Sequence, residues 1–289
     1  REGFLIVAVT WFIASLVGTL PYLMTSTLGT FADAFFESAS SFTTTGSTII
    51  PNVEILPKGI LFWRSFAQWL GGMGILVFAI SLLPALGISG QFMLRAETPG
   101  PSLEKIAPRI SDSAKILYLM YLFFTVIATI LLRFSGMGTF DALILSFGSV
   151  ASGGLSNYNN GIAHFGSVYV ETVVSVFTLL ACLNFTLYYS AVRGKWRDFF
   201  GNLELRVFFS ILVSASLLLA ANLWFSDTYA TAGESLRFGY FQSASFLSTT
   251  GLYSANFDLW PSFSKMILLI LMTIGACSSS TGGGLKIVR

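Results

Sequence analysis

Three short stretches of this chain gather oxygen-bearing residues around a glycine. Phe-Thr-Thr-Thr-Gly-Ser-Thr runs from Phe42 to Thr48, and Leu-Ser-Thr-Thr-Gly-Leu-Tyr from Leu247 to Tyr253. Between them stands Ala-Ser-Gly-Gly-Leu-Ser, Ala151 to Ser156. The turn glycines are Gly46, Gly154 and Gly251. Glycine allows dihedrals that aim successive carbonyls to one side. Thr and Ser add neutral oxygens, and no Asp or Glu lies within the turns. Neutral oxygens suit a large, weakly hydrated monovalent cation, whereas divalent cations favour carboxylates. A plainer reading is that the small residues let helices approach closely. Three turns at matching places favour the first reading.

The surroundings of the turns are apolar. Of 289 residues 54% are hydrophobic and only 10% charged, with a mean hydropathy of +0.75. A soluble domain carries about a quarter charged residues. Runs of about twenty apolar residues recur, the length of a membrane-crossing helix. The chain therefore reads as an all-α polytopic membrane protein. The net charge of +2 gives no reason to expect nucleic acid as a partner. Candidate spans cover residues 3–24, 60–84, 114–134, 166–192, 205–226 and 262–286. They form three pairs. Within each pair lies an apolar segment too short to cross: Phe31–Phe42, Thr139–Val150 and Glu234–Leu247. Each ends at one of the Gly turns and carries an acid near its start, Asp33, Asp141 or Glu234, matching the positive end of a helix dipole.

The unit is thus span, short helix, Gly turn, span, three times over. It divides the chain into repeats at 1–86, 114–192 and 205–289, joined by linkers at 87–113 and 193–204. Non-helical backbone at membrane depth is tolerated only where protein buries it or it lines a watery path. A short re-entrant helix followed by such a turn is the construction of an ion selectivity filter. Eleven of the sixteen basic residues, among them Arg95, Lys105, Arg193, Lys195, Arg197 and Lys286, fall on the side opposite the short helices. The positive-inside rule makes that side cytoplasmic, so the short helices enter from outside.

The last span breaks its own pattern. After Ile274 comes Gly275-Ala-Cys-Ser-Ser-Ser-Thr-Gly-Gly-Gly284. Three consecutive glycines are poor helix material, so the helix is expected to unwind midway, below the third turn, as a gate. Glycine caps on an ordinary helix end are the alternative. The stretch is not a phosphate loop, since Leu285 separates Lys286 from the glycines and no strand precedes it.

Three phrases carry a likeness to a known family: Gln68-Trp-Leu-Gly-Gly-Met-Gly-Ile-Leu-Val77, Arg95-Ala-Glu-Thr-Pro-Gly-Pro101 and Ser278-Ser-Ser-Thr-Gly-Gly-Gly-Leu-Lys286. With the Gly turns, the chain resembles the bacterial Trk/Ktr/HKT potassium transporter superfamily, in its TrkH branch. The resemblance implies potassium uptake through a central path walled by four repeats, of which three are here. It implies potassium as the transported ion, held mainly by backbone carbonyls at Thr44, Thr45 and Gly46, at Ser152, Gly153 and Gly154, and at Thr249, Thr250 and Gly251. It equates Gly275, Ser278, Ser279, Ser280, Thr281, Gly282, Gly283 and Gly284 with the family's intramembrane gating loop. It further implies a homodimer in the bacterial inner membrane, working with a cytoplasmic nucleotide-binding RCK subunit. The missing initiator Met and abrupt end suggest a fragment.

Other residues read as bland. His164, the sole histidine, falls in an outer loop. Arg64 and Glu171 fall near outer span ends, where an interfacial place is expected. Cys182 and Cys277 read as small buried residues. Asn184-Phe-Thr186 matches a glycosylation sequon but lies inside a span. The aromatics, with Trp63, Trp224 and Trp260, are expected to face lipid or the interface. An intramembrane Ser or Thr enzyme is disfavoured, because no base lies close to the turns in sequence. A non-conducting scaffold would leave the repeated turns unexplained.

Overall fold

The computed structural model describes residues 2–74 and 110–289, with side chains described from Leu5 and from Lys115 onward in the two stretches. Ile75–Val77, the phrase Arg95–Pro101 and nearly all of the 87–113 linker lie outside the described residues. Among those described the secondary structure is helical throughout, with no strand. The first round comprises α1 (Glu2–Val17), α2 (Leu20–Met24), the short α3 (Phe31–Phe42) and α4 (Lys58–Gly72). The second comprises α5 (Ile110–Arg133), the short α6 (Thr139–Val150), α7 (Val168–Cys182) and α8 (Phe185–Val192). After α9 (Trp196–Gly201), the third comprises α10 (Leu203–Phe225), the short α11 (Ala232–Leu247) and α12 (Ser262–Ile274).

By length and apolarity, Leu5–Met24, Lys115–Arg133 and Leu203–Phe225 are each able to cross a membrane. Their outward faces carry exposed Leu5, Phe12, Leu119, Phe123, Leu217 and Leu218, as lipid contact requires. The short helices begin as their sequences dictate. Thr30 Oγ1 accepts from Asp33 N at 3.1 Å, and Thr231 Oγ1 from Glu234 N at 3.2 Å. A hydroxyl one residue ahead of the helix satisfies an amide that has no partner inside it. α6 starts from Gly138 with no such cap.

The expected span 166–192 is not one helix. α7 and α8 meet at a bend of 90°. Leu183 takes an extended conformation, and Asn184 restarts the chain by accepting from Thr186 N at 2.9 Å. The sequon is therefore a helix cap. Competition by a short polar side chain for nearby amides breaks the helix. The last span also ends early: α12 stops at Ile274, and Gly275 has φ +77°.

Lipid tails are as apolar as Leu, so helices in a membrane are held by packing and polar contacts rather than by hydrophobic burial. Trp69 Nε1 donates to Thr125 Oγ1 at 2.9 Å, Tyr121 OH to Trp69 O at 2.8 Å, and Ser264 Oγ to Asn222 Oδ1 at 2.7 Å. The aromatics are more internal than expected. Trp69, Tyr121, Phe124, Phe147 and Phe177 pack in the core between α4 and α7, and Trp260 is buried against Tyr229.

Arg64 and Glu171 turn into the protein rather than toward an interface. Arg64 Nε lies 3.2 Å from Glu37 Oε2, with side chains only 1% and 0% exposed. Glu37 also accepts from Ile49 N at 2.8 Å and from Thr48 Oγ1, so the pair ties α3 and α4 to the chain leaving the first turn. Glu171 of α7 takes a two-pronged grip from Arg237 of α11, at 2.7 and 2.8 Å. Removing one partner of a buried pair strands the other charge, at about 3–5 kcal/mol. Arg64→Met is expected to lower the melting temperature in detergent sharply, and Glu37→Met/Arg64→Met to recover most of the loss; equal losses would show that the pair is not the support.

Candidate cation-binding site

The three Gly turns share one conformation, set by how their helices end. After α3, Thr43 N donates to Ala39 O at 2.9 Å, Thr44 N to Ser41 O at 3.0 Å and Thr45 N to Ser40 O at 2.9 Å. After α6 the corresponding bonds run from Ala151 to Phe147, Ser152 to Ser149 and Gly153 to Gly148, and after α11 from Ser248 to Ala244, Thr249 to Phe246 and Thr250 to Ser245. This is a Schellman ending, which requires a left-handed residue and favours glycine there. Here the place is held by Thr44 at φ +54°, Ser152 at +51° and Thr249 at +59°. A non-glycine in that region costs about 1–2 kcal/mol. Two residues on, Gly46, Gly154 and Gly251 return to positive φ at +75°, +80° and +77°.

The turns lie against one another in chain order. A Cβ on Gly46 would fall 2.2 Å from Gly153 O, and one on Gly154 would fall 2.1 Å from Thr250 O. Gly251 has no such neighbour within 4 Å among the described residues. The outer loops follow the same order. Asn159 Oδ1 accepts from Val53 N at 3.0 Å, and Tyr253 O accepts from Ile162 N at 3.1 Å.

Behind the first two turns stands α4. Gly71 presses on Phe42 O, where a Cβ would come to 1.8 Å, and Gly72 presses on Ala151. One turn earlier, Gln68 Oε1 accepts from Leu155 N at 3.2 Å and fills the space behind Gly153. The phrase Gln-Trp-Leu-Gly-Gly is therefore a wedge between two turns. Ser40 Oγ braces the first turn on Ser47 O at 2.6 Å, and Ser245 Oγ braces the third on Leu252 O at 2.5 Å. In the second turn Gly148 takes that place, and a Cβ there would come within 3.0 Å of Leu155 O.

Amides are thus satisfied while oxygens are left over. None of the carbonyls of residues 44–46, 152–154 or 249–251 accepts a hydrogen bond from the described residues. Thr44, Thr45, Ser152, Thr249, Thr250 and Gly251 line one cavity of about 1000 Å³, together with Thr281 and Gly283 of the last loop. Asp258 is the one charged residue among the described residues that line it. Three helix C-termini, each with about half a negative charge, end beside it. No cluster of three or more His, Cys, Asp or Glu able to hold a metal occurs among the described residues. His164 is exposed in its loop, stacked on Tyr158.

The stretch 275–284 folds back as an irregular loop against this cavity. Ala276 N donates to Gly283 O at 3.1 Å and closes the loop on itself. The break between α7 and α8 receives it: Cys277 N donates to Cys182 O at 3.2 Å, Thr281 N to Ala181 O at 3.1 Å, and Phe185 N to Ser279 O at 3.0 Å. Cys182 and Cys277 are both buried and unbridged. Glu204 at the start of α10 accepts from Ser278 N at 2.6 Å and from Ser278 Oγ at 2.9 Å. Ser280 Oγ bonds back within the loop to Cys277 O at 2.6 Å. A Cβ on Gly282 would collide with Ala276 and Cys182, so that glycine is required by close approach.

These features have relatives. The sequence matches the TrkH family, described as a cation transport protein, over residues 1–289. The chain belongs to the TrkH family. It is 40% identical over 296 residues to the Trk system potassium uptake protein TrkH of Escherichia coli K12, covering 100% of this chain and 60% of that protein. To TrkG of the same organism it is 34% identical over 292 residues, with the same coverage. Its fold is similar to the crystal structure of the potassium transporter TrkH from Vibrio parahaemolyticus, with a TM-score of 0.86 at 36% identity, covering 100% of this chain and 59% of that one. The chain thus spans about 60% of the length of the curated relatives it matches. As a member of the TrkH family with, among the described residues, three helices long and apolar enough to cross a bilayer, it is a membrane protein.

Glu204 and Gln68 did not stand out in the sequence as site residues. Glu204 reads there as the end of a linker, although an acid just inside a long apolar helix was a usable signal. Its removal leaves the Ser278 amide unpaired, a loss of about 1–3 kcal/mol. Glu204→Ala is expected to speed amide hydrogen exchange at Ser278 roughly tenfold; an unchanged rate would mean the carboxylate does not hold the loop.

Proposed function

We propose that the three turns wall a path along which potassium crosses the membrane, and that the loop 275–284 obstructs that path as a gate. The observation that carries this reading is that three turns whose carbonyls accept no hydrogen bond from the described residues bring Thr44, Thr45, Ser152, Thr249, Thr250 and Gly251 to one cavity of otherwise neutral lining, whereas Gly46, Gly153 and Gly154 are not among its lining residues. A dehydrated monovalent cation needs several neutral oxygens at once, and carbonyls held by a rigid backbone supply them. The C-terminal ends of α3, α6 and α11 add a negative potential at the same place. The relatives are named as potassium uptake proteins, which favours transport over the enzyme and scaffold readings.

On this reading Thr44–Gly46, Ser152–Gly154 and Thr249–Gly251 are the ion-binding residues, and a fourth repeat completes the ring, as the resemblance implies. The repeats are 1–86, 114–192 and 205–289. Orientation follows from charge. Arg193, Lys195, Arg197 and Arg206 cluster in sequence between the second and third repeats, on the side opposite the short helices, which makes that side cytoplasmic in a bacterial inner membrane. A homodimer and a cytoplasmic nucleotide-binding RCK subunit belong to the same reading and rest on the family likeness.

The test is rubidium and sodium uptake by cells lacking their own potassium uptake. Gly46→Ala and Gly154→Ala bring a methyl against a neighbouring carbonyl as well as straining φ, so each is expected to cut rubidium uptake more than tenfold. Gly251→Ala strains φ alone and is expected to lose less. Wild-type rubidium preference retained in Gly154→Ala would overturn the assignment.

A further inference from the structure

The left-handed position at the end of each short helix favours glycine, yet it holds Thr44, Ser152 and Thr249. Their hydroxyls have different partners. Ser152 Oγ lies 2.7 Å from Thr281 Oγ1. Thr281 Oγ1 also lies 3.1 Å from Ala181 O, so it donates there and receives from Ser152. Thr249 Oγ1 accepts from Gly283 N at 2.6 Å while donating to Ser248 O at 2.6 Å. Thr44 makes no corresponding bond to the loop, although it lines the same cavity.

We infer that the hydroxyls of Ser152 and Thr249 latch the loop 275–284 directly onto the second and third turns, so that the conformation of the ion-binding turns and the position of the loop are coupled. Both hydroxyls sit on residues whose backbone is held left-handed, so their direction is fixed by the turn itself. A turn that relaxes when its ion leaves swings the hydroxyl away from Thr281 or Gly283 and loosens the loop. A loop that withdraws removes a hydrogen bond from the strained residue. The two equilibria are then linked reciprocally. Ser152 and Thr249 are positioning residues for the loop as well as contributors to the cavity wall. The potassium arm of this inference rests on the proposed function above, whereas the latch itself does not.

Cys277 in the loop and Cys182 beneath it are buried and unbridged, which makes them reporters of loop opening. The experiment measures N-ethylmaleimide modification of both in the purified protein, read by peptide mass spectrometry. One hydrogen bond is worth about a fivefold shift in such an opening. Thr249→Val and Ser152→Ala are expected to speed modification about fivefold each. Thr249→Ser is expected to stay at the wild-type rate, and Thr44→Gly not to accelerate it. Potassium in the buffer in place of sodium is expected to slow modification of the wild type and to have no effect on the Ser152→Ala/Thr249→Val double variant. Thr249→Ser as fast as Thr249→Val would assign the effect to packing and overturn the latch, as would acceleration by Thr44→Gly. Wild-type modification equal in potassium and sodium would overturn the coupling even with the latch intact. Absent rubidium uptake combined with accelerated variants would instead fault the proposed function and leave the latch standing.

Discussion

Peptide groups at membrane depth must find partners inside the protein, and the rest of this structure follows from that demand. Helices meet it automatically. The three turns and the last loop do not, and each is supplied with partners by residues brought from elsewhere. The Schellman endings use amides immediately after each short helix. Gln68 serves Leu155 across the interface with α4, and Glu204 serves Ser278 across the interface with α10. Donors are consumed by this arrangement faster than acceptors, because each carbonyl has two lone pairs and each amide one proton. The surplus of unpaired carbonyl oxygen in the three turns is thus a by-product of satisfying the backbone, and on the proposed reading it is what a cation uses.

Strain and packing both concentrate on the same few positions. Thr44, Ser152 and Thr249 are held in a left-handed conformation that non-glycine residues avoid, the β-branched Thr44 and Thr249 most of all. They persist because close contacts fix the backbone just ahead of them: Gly71 against Phe42, Gly72 against Ala151, and Gly282 against Ser248. Small residues in this chain therefore do two jobs that the sequence alone does not separate. Some, such as Gly46 and Gly154, are needed for their dihedrals and their nearness to another turn. Others, such as Gly71, are needed only because a neighbouring carbonyl leaves no room.

Much of this was legible in the residues. The short helices Phe31–Phe42 and Thr139–Val150 stand where their apolar runs and turn signals put them, and Ala232–Leu247 begins two residues ahead of the expected Glu234. Gly275 ends the last helix because three later glycines and a hydroxyl run give it nothing to continue into. The break at Leu183–Asn184 was not read from the sequence, because apolar residues resume at Phe185 and Leu187 and a single Asn in a span does not by itself end a helix. Its cause is a polar side chain capping locally and the distant loop 275–284 taking up the freed groups, as Ser279 O does for Phe185 N and Cys277 N for Cys182 O. Arg64 and Glu37 were equally hidden. An ion pair between two helices leaves no periodic trace when its members are 27 residues apart.

The three turns share one backbone conformation but lie in one chain, each with its own sequence. The braces already differ: a serine hydroxyl in the first and third turns, and a glycine backed by Gln68 in the second. In an assembly of identical subunits, any substitution in such a wall is repeated at every position, so only changes tolerable in all of them at once survive. Here each wall mutates by itself. On the proposed reading, ion preference and obstruction can drift in small independent steps, one turn carrying the selectivity while another is reshaped to hold the loop.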